Sequence, residues 1–325
     1  MNKLHIPPLD EQAAKAALEH QKILAKPPLA LGKLEPVAIR IAGMTGNPAP
    51  RLKDKAIVLF AADHHIADHG LSLTSTDVTY IQTRNFLQGG GTINAFTRNA
   101  GARLSVVDVG VNYDFGDLPG LVKRKVMHGA NDFSRGPAMT REQALKCLQV
   151  GIDMAREEKN KGLDIVAAGE MGIGNTTPSS AIVAVLTGTP VETVTGRGSG
   201  VRGEVIRKKI KLIEQGIALN KPDPSDAIDV LAKVGGPEIG AMAGLSPSSL
   251  TASLPGRPRP SPRAFARKRR NTSSAPTTPR NRGISSLWTT SASPCTWTWA
   301  SAWGKARGRP CSFPCWTPPR AYFLK

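Results

Sequence analysis

The chain has 325 residues, 40% of them hydrophobic, and its formal net charge is +18. This size and apolar content suit one or two globular domains, and no apolar stretch is long enough to predict a membrane-spanning helix. The first residues lack the apolar segment of a signal peptide, so we expect a cytoplasmic protein with no membrane partner. The four cysteines lack paired metal-ligand spacing, and we therefore expect neither a metal site nor a cofactor.

The excess positive charge lies at one end of the chain. Residues 246–325 hold fourteen of the 43 Lys and Arg residues and none of the 25 Asp and Glu residues, so this tail carries +14 and residues 1–245 carry +4. All five tryptophans also lie in the tail, which shows neither helical nor strand periodicity. The composition therefore separates an ordinary globular body from an anomalous basic tail.

Helices and strands alternate along the body. In chain order the pattern predicts helices over 9–25 and 29–43, a strand over 56–62, helices over 77–87 and 92–99, a strand over 103–110, a binding loop over 111–139, a helix over 140–159, a strand over 163–168, and helices over 178–186 and 201–219. The strands are short apolar runs, typical of parallel strands that are buried on both faces. We therefore predict an α/β fold, a parallel sheet with helices on both faces.

Acidic residues follow or end the predicted strands. Asp63, Asp108 and Glu170 all fall at carboxyl ends, where the ligands of parallel sheets bind. Asp63 can equally be a structural cap of its strand, and the histidines that follow it at 64, 65 and 69 are predicted to have structural or surface roles.

A glycine loop connects the third strand to a helix. It reads Gly169-Glu170-Met171-Gly172-Ile173-Gly174-Asn175-Thr176-Thr177. Free backbone N–H groups at a helix N-terminus bind anions, and Gly172 and Gly174 would let the backbone approach a phosphate. Either Thr176 or Thr177 can cap the helix. The loop therefore predicts a phosphate site, although it matches no general nucleotide-binding motif.

Several segments in the same order resemble the nicotinate-nucleotide:dimethylbenzimidazole phosphoribosyltransferase family. The resemblance covers residues 9–245. The segments that carry it are the glycine loop at 169–177, Phe60-Ala61-Ala62-Asp63-His64, Asn85-Phe86-Leu87-Gln88-Gly89-Gly90, Val107-Asp108-Val109-Gly110, Thr195-Gly196-Arg197-Gly198-Ser199-Gly200 and the glycine-rich stretch 234–244.

The resemblance implies a fold, an activity and partners. It implies a homodimer with a Rossmann-like α/β nucleotide-binding domain, here residues 46–245, and a smaller helical domain that includes residues 1–45. It implies transfer of ribose 5-phosphate from nicotinate mononucleotide to 5,6-dimethylbenzimidazole in cobalamin biosynthesis. We expect no nucleic-acid partner.

The resemblance also implies roles for particular residues. The 5-phosphate would be held by Gly172, Gly174, Asn175, Thr176 and Thr177, with help from Arg197, Gly198 and Lys209. Lys209 lies in a basic run that is equally typical of a solvated helix face. The aromatic base would lie in a pocket with contacts from Tyr80, Gln82 and Phe86.

The family's catalytic base is a glutamate in a C-terminal Leu-Gly-Glu-Gly-Thr-Gly segment, and no Glu follows Glu238 in this chain. Codons chosen for residues 303–308 encode that segment when they are read in a shifted frame, which would place Lys305 where the family has its glutamate. The same shift makes residues 280–285 resemble the family's Glu-Pro-Gly-His stretch. We therefore interpret residues 246–325 as a shifted reading frame that begins after Leu245. Glu170 remains as a second carboxylate, either to steady positive charge on the ribose or to replace the base.

Two other functions remain open. The protein could be a catalytically crippled or noncatalytic nucleotide-binding protein of the same fold. Alternatively, the basic tail could bind nucleic acid, with Arg267-Lys268-Arg269-Arg270 as a charged patch and Trp297, Trp299 and Trp303 for base stacking.

Overall fold

The computed structural model describes residues 8–198 and 200–245. The tail at 246–325, with Lys305 and the proposed frame shift, lies outside the described residues. The strands are β1 (Lys55–Ala62), β2 (Ala102–Gly110), β3 (Leu121–Lys123) and β4 (Ile165–Met171). The helices are α1 (Glu11–Ile23), α2 (Leu34–Thr45), α3 (Asp77–Leu87), α4 (Thr92–Ala100), α5 (Arg141–Asn160), α6 (Thr176–Thr187), α7 (Val191–Val194), α8 (Glu204–Asn220), α9 (Ala227–Val234) and α10 (Pro237–Gly244), with a 3-10 helix at His65–His69.

The four strands form one parallel sheet in the order β3-β2-β1-β4. β1 is central and pairs with both β2 and β4. Lys55 lies opposite Ala102 on one side and Ile165 on the other. The parallel arrangement brings the carboxyl ends of all four strands to one edge, as the sequence predicts.

Alternate residues of β1 and β2 contact helices on opposite faces. Phe60 and Val107 pack into a core with α5 and α10, whereas Leu59 and Val106 pack with α3 and α4. The predicted α/β fold with helices on both faces of a parallel sheet is confirmed.

β4 differs from the strand that the sequence predicts. The apolar run at 163–168 predicts a buried strand that ends before Gly169, but β4 extends to Met171 and much of it is exposed. It extends further because pairing with β1 continues as far as Met171, opposite Ala61. It is exposed because it forms an edge of the described sheet, where Ile165 retains 43% of its accessible surface.

Other boundaries shift because hydrogen bonding decides them. α6 begins at Thr176 rather than at Pro178, and Asn175 occupies the N-cap position in a helical conformation without a side-chain cap. Neither threonine is therefore the cap. The predicted loop 111–139 contains β3, a strand too short to show a sequence period.

The N-terminal helices form a pair. The Asp10 side chain accepts a hydrogen bond from the Ala13 amide at 3.0 Å and caps α1, which packs against α2. Apolar side chains of this pair remain exposed, among them Leu34 at 66% and Met44 at 58%. Within the described residues, no helix is both long and apolar enough to span a membrane.

α5 and α10 approach each other closely through glycines. A Cβ atom on Gly151 would lie 1.9 Å from the Ala241 carbonyl oxygen, and one on Gly244 would lie 2.0 Å from the Leu148 carbonyl oxygen. Both contacts involve backbone atoms, which cannot move without shifting a helix. The position of α10 therefore depends on the absence of side chains at these two residues.

We predict that Gly151→Ala destabilises the protein. Alanine normally stabilises a helix by about 1 kcal/mol relative to glycine, but overpacking costs more, so we expect a net loss of about 2 kcal/mol. Urea unfolding followed by circular dichroism measures the change. The matched control is Gly136→Ala, whose Cβ would meet no atom within 4 Å, and equal stability of the two variants would contradict the prediction.

Candidate active site

The parallel pairing brings two predicted site carboxylates to the same edge of the sheet. Asp63 follows the last residue of β1, and Glu170 lies on β4 opposite Phe60. The Asp63 side chain is buried, and its Oδ2 accepts a hydrogen bond from the Asn112 amide at 2.8 Å. Its Oδ1 is also buried and has no hydrogen-bond partner among the described residues.

The glycine loop packs against the carboxyl end of β1 and the 3-10 helix. Gly174 has φ +88°, and a Cβ on it would lie 2.6 Å from the Ala67 Cβ. A Cβ on Gly172 would lie 2.4 Å from the Ala62 carbonyl oxygen. Both positions therefore need glycine to fit against the protein itself.

Several loop amides already have protein partners. Ile173 donates to the Thr79 hydroxyl at 3.0 Å, Asn175 to the Gly172 carbonyl at 3.2 Å, and Thr177 to the Gly174 carbonyl at 2.9 Å. The expectation that free N–H groups of this loop hold an anion is therefore wrong for these three amides in this conformation.

Lys209 reaches the N-terminus of α6 from α8. Its Nζ donates to the Thr176 hydroxyl at 2.5 Å, and the residue is 1% exposed. Burial lowers the pKa of Lys209 to about 8. No carboxylate of the described residues forms an ion pair with it, although buried cations are normally paired. Lys209 is therefore buried at the start of α6 and is not part of a solvated helix face.

The glycine segment at 195–200 lies next to the contact between Lys209 and Thr176. A Cβ on Gly198 would lie 2.8 Å from the Thr176 hydroxyl oxygen and 3.7 Å from the Lys209 Nζ. Arg197 is exposed. The structure thus brings Thr176, Lys209 and Gly198 together and leaves Thr177 beside them with a buried hydroxyl that has no partner among the described residues.

Glu170 is linked to the start of α6. The Asn175 side-chain amide donates a hydrogen bond to the Glu170 Oε2. Burial raises the pKa of Glu170 and the nearby charge of Glu238 raises it further, while the Asn175 hydrogen bond and His64 oppose the increase. The carboxyl group is therefore a better proton acceptor than an exposed glutamate.

His64 and Glu238 form a buried pair that the sequence analysis did not find. The His64 Nε2 lies 2.9 Å from the Glu238 Oε1, and the two side chains are 1% and 0% exposed. The predicted structural role of His64 is consistent with its burial, but its partner lies 174 residues away. The sequence signals were a histidine two residues after the end of a strand and a glutamate directly after Gly-Gly-Pro.

A cavity of about 380 Å³ opens beside Asp63. Its lining includes Tyr80 and Tyr113, whose ring centroids are 3.9 Å apart. Of the three predicted base contacts, only Tyr80 lines this cavity. The Gln82 side chain bonds to Asn85, and Phe86 packs in the core below α3 because it lies on the inner face of that helix.

The remaining histidines of this region pair with single acids. His65 lies 3.3 Å from Asp68, and His69 lies 2.8 Å from Asp132. Throughout 8–198 and 200–245, no group of three or more His, Cys, Asp and Glu side chains is arranged to hold a metal ion.

The phosphoribosyltransferase family model matches residues 6–255. The chain is 50% identical over 238 residues to the nicotinate-nucleotide–dimethylbenzimidazole phosphoribosyltransferase of Geobacter sulfurreducens, a match that covers 73% of this chain and 68% of that protein. It belongs to this phosphoribosyltransferase family. The enzyme of the same name from Chloroflexus aggregans is 49% identical over 241 residues, 74% of this chain and 68% of the relative.

A solved structure supports the same family assignment. The crystal structure of CobT from Thermus thermophilus matches with a TM-score of 0.70 and 42% identity, over 75% of this chain and 73% of that protein. The resemblance seen in the sequence is therefore confirmed, and the chain is a phosphoribosyltransferase by family. About a third of each curated relative lies outside the match.

We predict that sulfate binding to this phosphoribosyltransferase follows the protonation of Lys209. Sulfate keeps its charge across this range, so loss of the Lys209 proton should lower its affinity by about tenfold per pH unit above about pH 8. Lys209→Met should bind weakly at every pH. Calorimetric titration measures both, and a wild-type affinity that stays constant to pH 10 would contradict the prediction.

Lys209 also affects stability in a defined direction. Its pKa is lower in the folded protein than the ordinary value of 10.5. The unfolded chain therefore binds more protons between about pH 8 and 10.5, so the contribution of Lys209 to the free energy of unfolding rises with pH in this window. Anion binding and stability should thus change in opposite directions.

Proposed function

We propose that the protein transfers the 5-phosphoribosyl group of nicotinate mononucleotide to 5,6-dimethylbenzimidazole, with release of nicotinate, as a step of cobalamin biosynthesis. The observation that carries this proposal is the buried Lys209 at the start of α6, without a carboxylate partner among the described residues, in a chain of this family. The product would be α-ribazole 5′-phosphate.

The phosphate of the nucleotide would bind where Thr176, Lys209 and Gly198 meet. A buried ammonium group strongly favours a dianion, because the anion offsets the cost of the burial. Arg197 is exposed and is adjacent in sequence to Gly198, so its side chain could contact the same phosphate. Gly172, Gly174, Asn175 and Thr177 form the loop and the start of α6 on which this phosphate site is built.

The aromatic base would bind in the cavity beside Asp63. Its Tyr80 and Tyr113 rings offer apolar surface to a planar ligand, and the unpartnered Asp63 Oδ1 offers an acceptor to a ring N–H. Gln82 and Phe86 are not among the proposed contacts, since neither lines this cavity.

The reaction breaks the bond between the anomeric carbon and nicotinate and forms one to a benzimidazole nitrogen. The other ring nitrogen gives up its proton to a base, and positive charge develops on the ribose. Glu170 is suited to steady this charge because it is mostly buried and lies next to Asn175 and the phosphate site. It can also accept the proton if the family's C-terminal glutamate is absent.

We also propose the domain assignment and the assembly. Residues 1–45 form part of a small helical domain, and residues 46–245 form the nucleotide-binding domain. Exposed apolar side chains on α1 and α2, such as Leu34 and Met44, support a homodimer. We expect a cytoplasmic enzyme without a nucleic-acid partner. Sedimentation should show a dimer at micromolar concentration, and a monomer alone would contradict this assignment.

The rate of phosphoribosyl transfer should depend on the tail at residues 246–325. We propose that residues 246–325 are a shifted frame, with Lys305 in place of the family's glutamate. A lysine cation there would repel the developing positive charge and could not take the proton near neutral pH. The chain should therefore bind nicotinate mononucleotide but convert it slowly.

The test compares the chain with a version restored to the other frame after Leu245. Formation of ribazole phosphate and release of nicotinate, measured together, should be at least about a hundredfold faster in the restored version. Introducing Glu170→Gln into the restored version should lower its turnover but preserve its nucleotide binding. Absence of activity in the restored version would refute the proposed function, and equal rates would assign the base to Glu170 or Asp63.

A further inference from the structure

Four ionisable side chains from three elements meet at the carboxyl edge of the sheet. Asp63 and His64 follow β1, Glu170 lies on β4, and Glu238 lies in the first turn of α10. The charges of Asp63, Glu170 and Glu238 all act on His64. His64 is the basic side chain of this group, and the three others are carboxylates.

The His64 ring lies between two glycines from different elements. A Cβ on Gly172 of the glycine loop would lie 3.3 Å from the His64 Nε2. A Cβ on Gly236, before α10, would lie 2.5 Å from the His64 Cε1 and 2.8 Å from the Glu238 Oε2. The ring therefore contacts the loop on one side and the start of α10 on the other.

Glu238 holds the ring in this position. Its Oε1 pairs with the His64 Nε2 at 2.9 Å, and its place in the first turn of a helix favours a negative charge. Its Oε2 is buried without a hydrogen-bond partner among the described residues. The Glu238 charge acts on His64, on Glu170 and on the buried Cys147 thiol of α5.

The balance favours the imidazolium form. Burial acts to lower the pKa of His64, but the charge and hydrogen bond of Glu238, together with Asp63 and Glu170, outweigh burial and raise it above the ordinary value. The protonated ring would place a positive charge against the loop that leads to Asn175 and Thr176.

We propose that His64 and Glu238 are positioning residues for Glu170 and the anion site. Glu238 fixes the imidazolium between the glycine loop and α10, and the imidazolium offsets the negative charge of Glu170 next to the position where the phosphate binds. This inference rests on the proposed function, because it takes the phosphate of the nucleotide as the ligand. The pair acts on substrate only through Glu170 and the loop.

Ligand binding and protonation of His64 are then coupled in both directions. An anion beside Thr176 stabilises the imidazolium, so bound sulfate raises the pKa of His64, and protonation of His64 strengthens sulfate binding by the same factor. A histidine with a purely structural role would not respond to sulfate.

The experiment follows the imidazole nitrogens of His64 by NMR in the full chain, with and without saturating sulfate. We expect sulfate to raise the pKa of His64 by about half a unit or more, since charges inside a protein are only partly screened. The pKa of His69, which pairs with Asp132, serves as the internal control and should not move. An unchanged His64 pKa while the Thr176 amide responds to sulfate overturns the inference and leaves the proposed function intact.

Variants test the charge balance. His64→Gln leaves the Glu238 charge buried without its partner, so sulfate affinity should fall by about tenfold, whereas the double variant His64→Gln/Glu238→Gln removes both charges and should recover to within about threefold. His69→Gln is the matched control. Equal weakening in the single and double variants overturns the inference.

Two further outcomes remain informative. If His64→Gln does not fold, the wild-type titration with sulfate still decides the question. If neither sulfate nor nicotinate mononucleotide shifts the amides of Thr176 and Lys209, the proposed phosphate site is refuted, and the inference is overturned with it.

Discussion

The parallel pairing of β1 with both β2 and β4 is the constraint on which the site depends. This pairing brings Asp63, Glu170 and the glycine loop to a single edge, although more than a hundred residues of chain separate the first from the second. The main-chain hydrogen bonds fix the register, so Glu170 is fixed opposite Phe60. Helices on both faces then bury the central strand and leave only its carboxyl end open to a ligand.

The candidate site contains ionisable side chains that are buried away from water. Lys209 is buried without a carboxylate of the described chain, and Glu238 and Asp63 each bury an oxygen that has no partner there. Such groups cost stability, and functional sites are where proteins retain them. A phosphate at Lys209 and an N–H donor at Asp63 would satisfy these groups. Binding of such a ligand would therefore stabilise the folded protein.

Two different uses of glycine support this arrangement. Gly172, Gly174 and Gly236 let the loop and the start of α10 approach His64 and the 3-10 helix, whereas Gly151 and Gly244 let two helix backbones approach each other. The second contact positions α10, and α10 carries Glu238. The close packing of α5 and α10 therefore determines where the buried Glu238 carboxylate lies in the site.

The chain's composition changes abruptly in its last part. The family match ends at residue 255, the last acidic residue is Glu238, and all five tryptophans lie from residue 288 onward. The proposed shift of the reading frame would account for both the change in composition and the missing glutamate.

The sequence by itself determined the alternation of strands and helices, the α/β class, the family and the strand ends where the candidate site lies, because apolar periodicity and motif order are local properties. The glycine loop was also located correctly between a strand and a helix. Only the tertiary structure decided that the loop glycines pack on Ala62 and Ala67, that Lys209 is buried at Thr176, and that Phe86 points into the core. It also paired His64 with Glu238. These contacts join residues far apart in the chain, and which side chains lose water depends on the packing of whole elements rather than on the residues beside them.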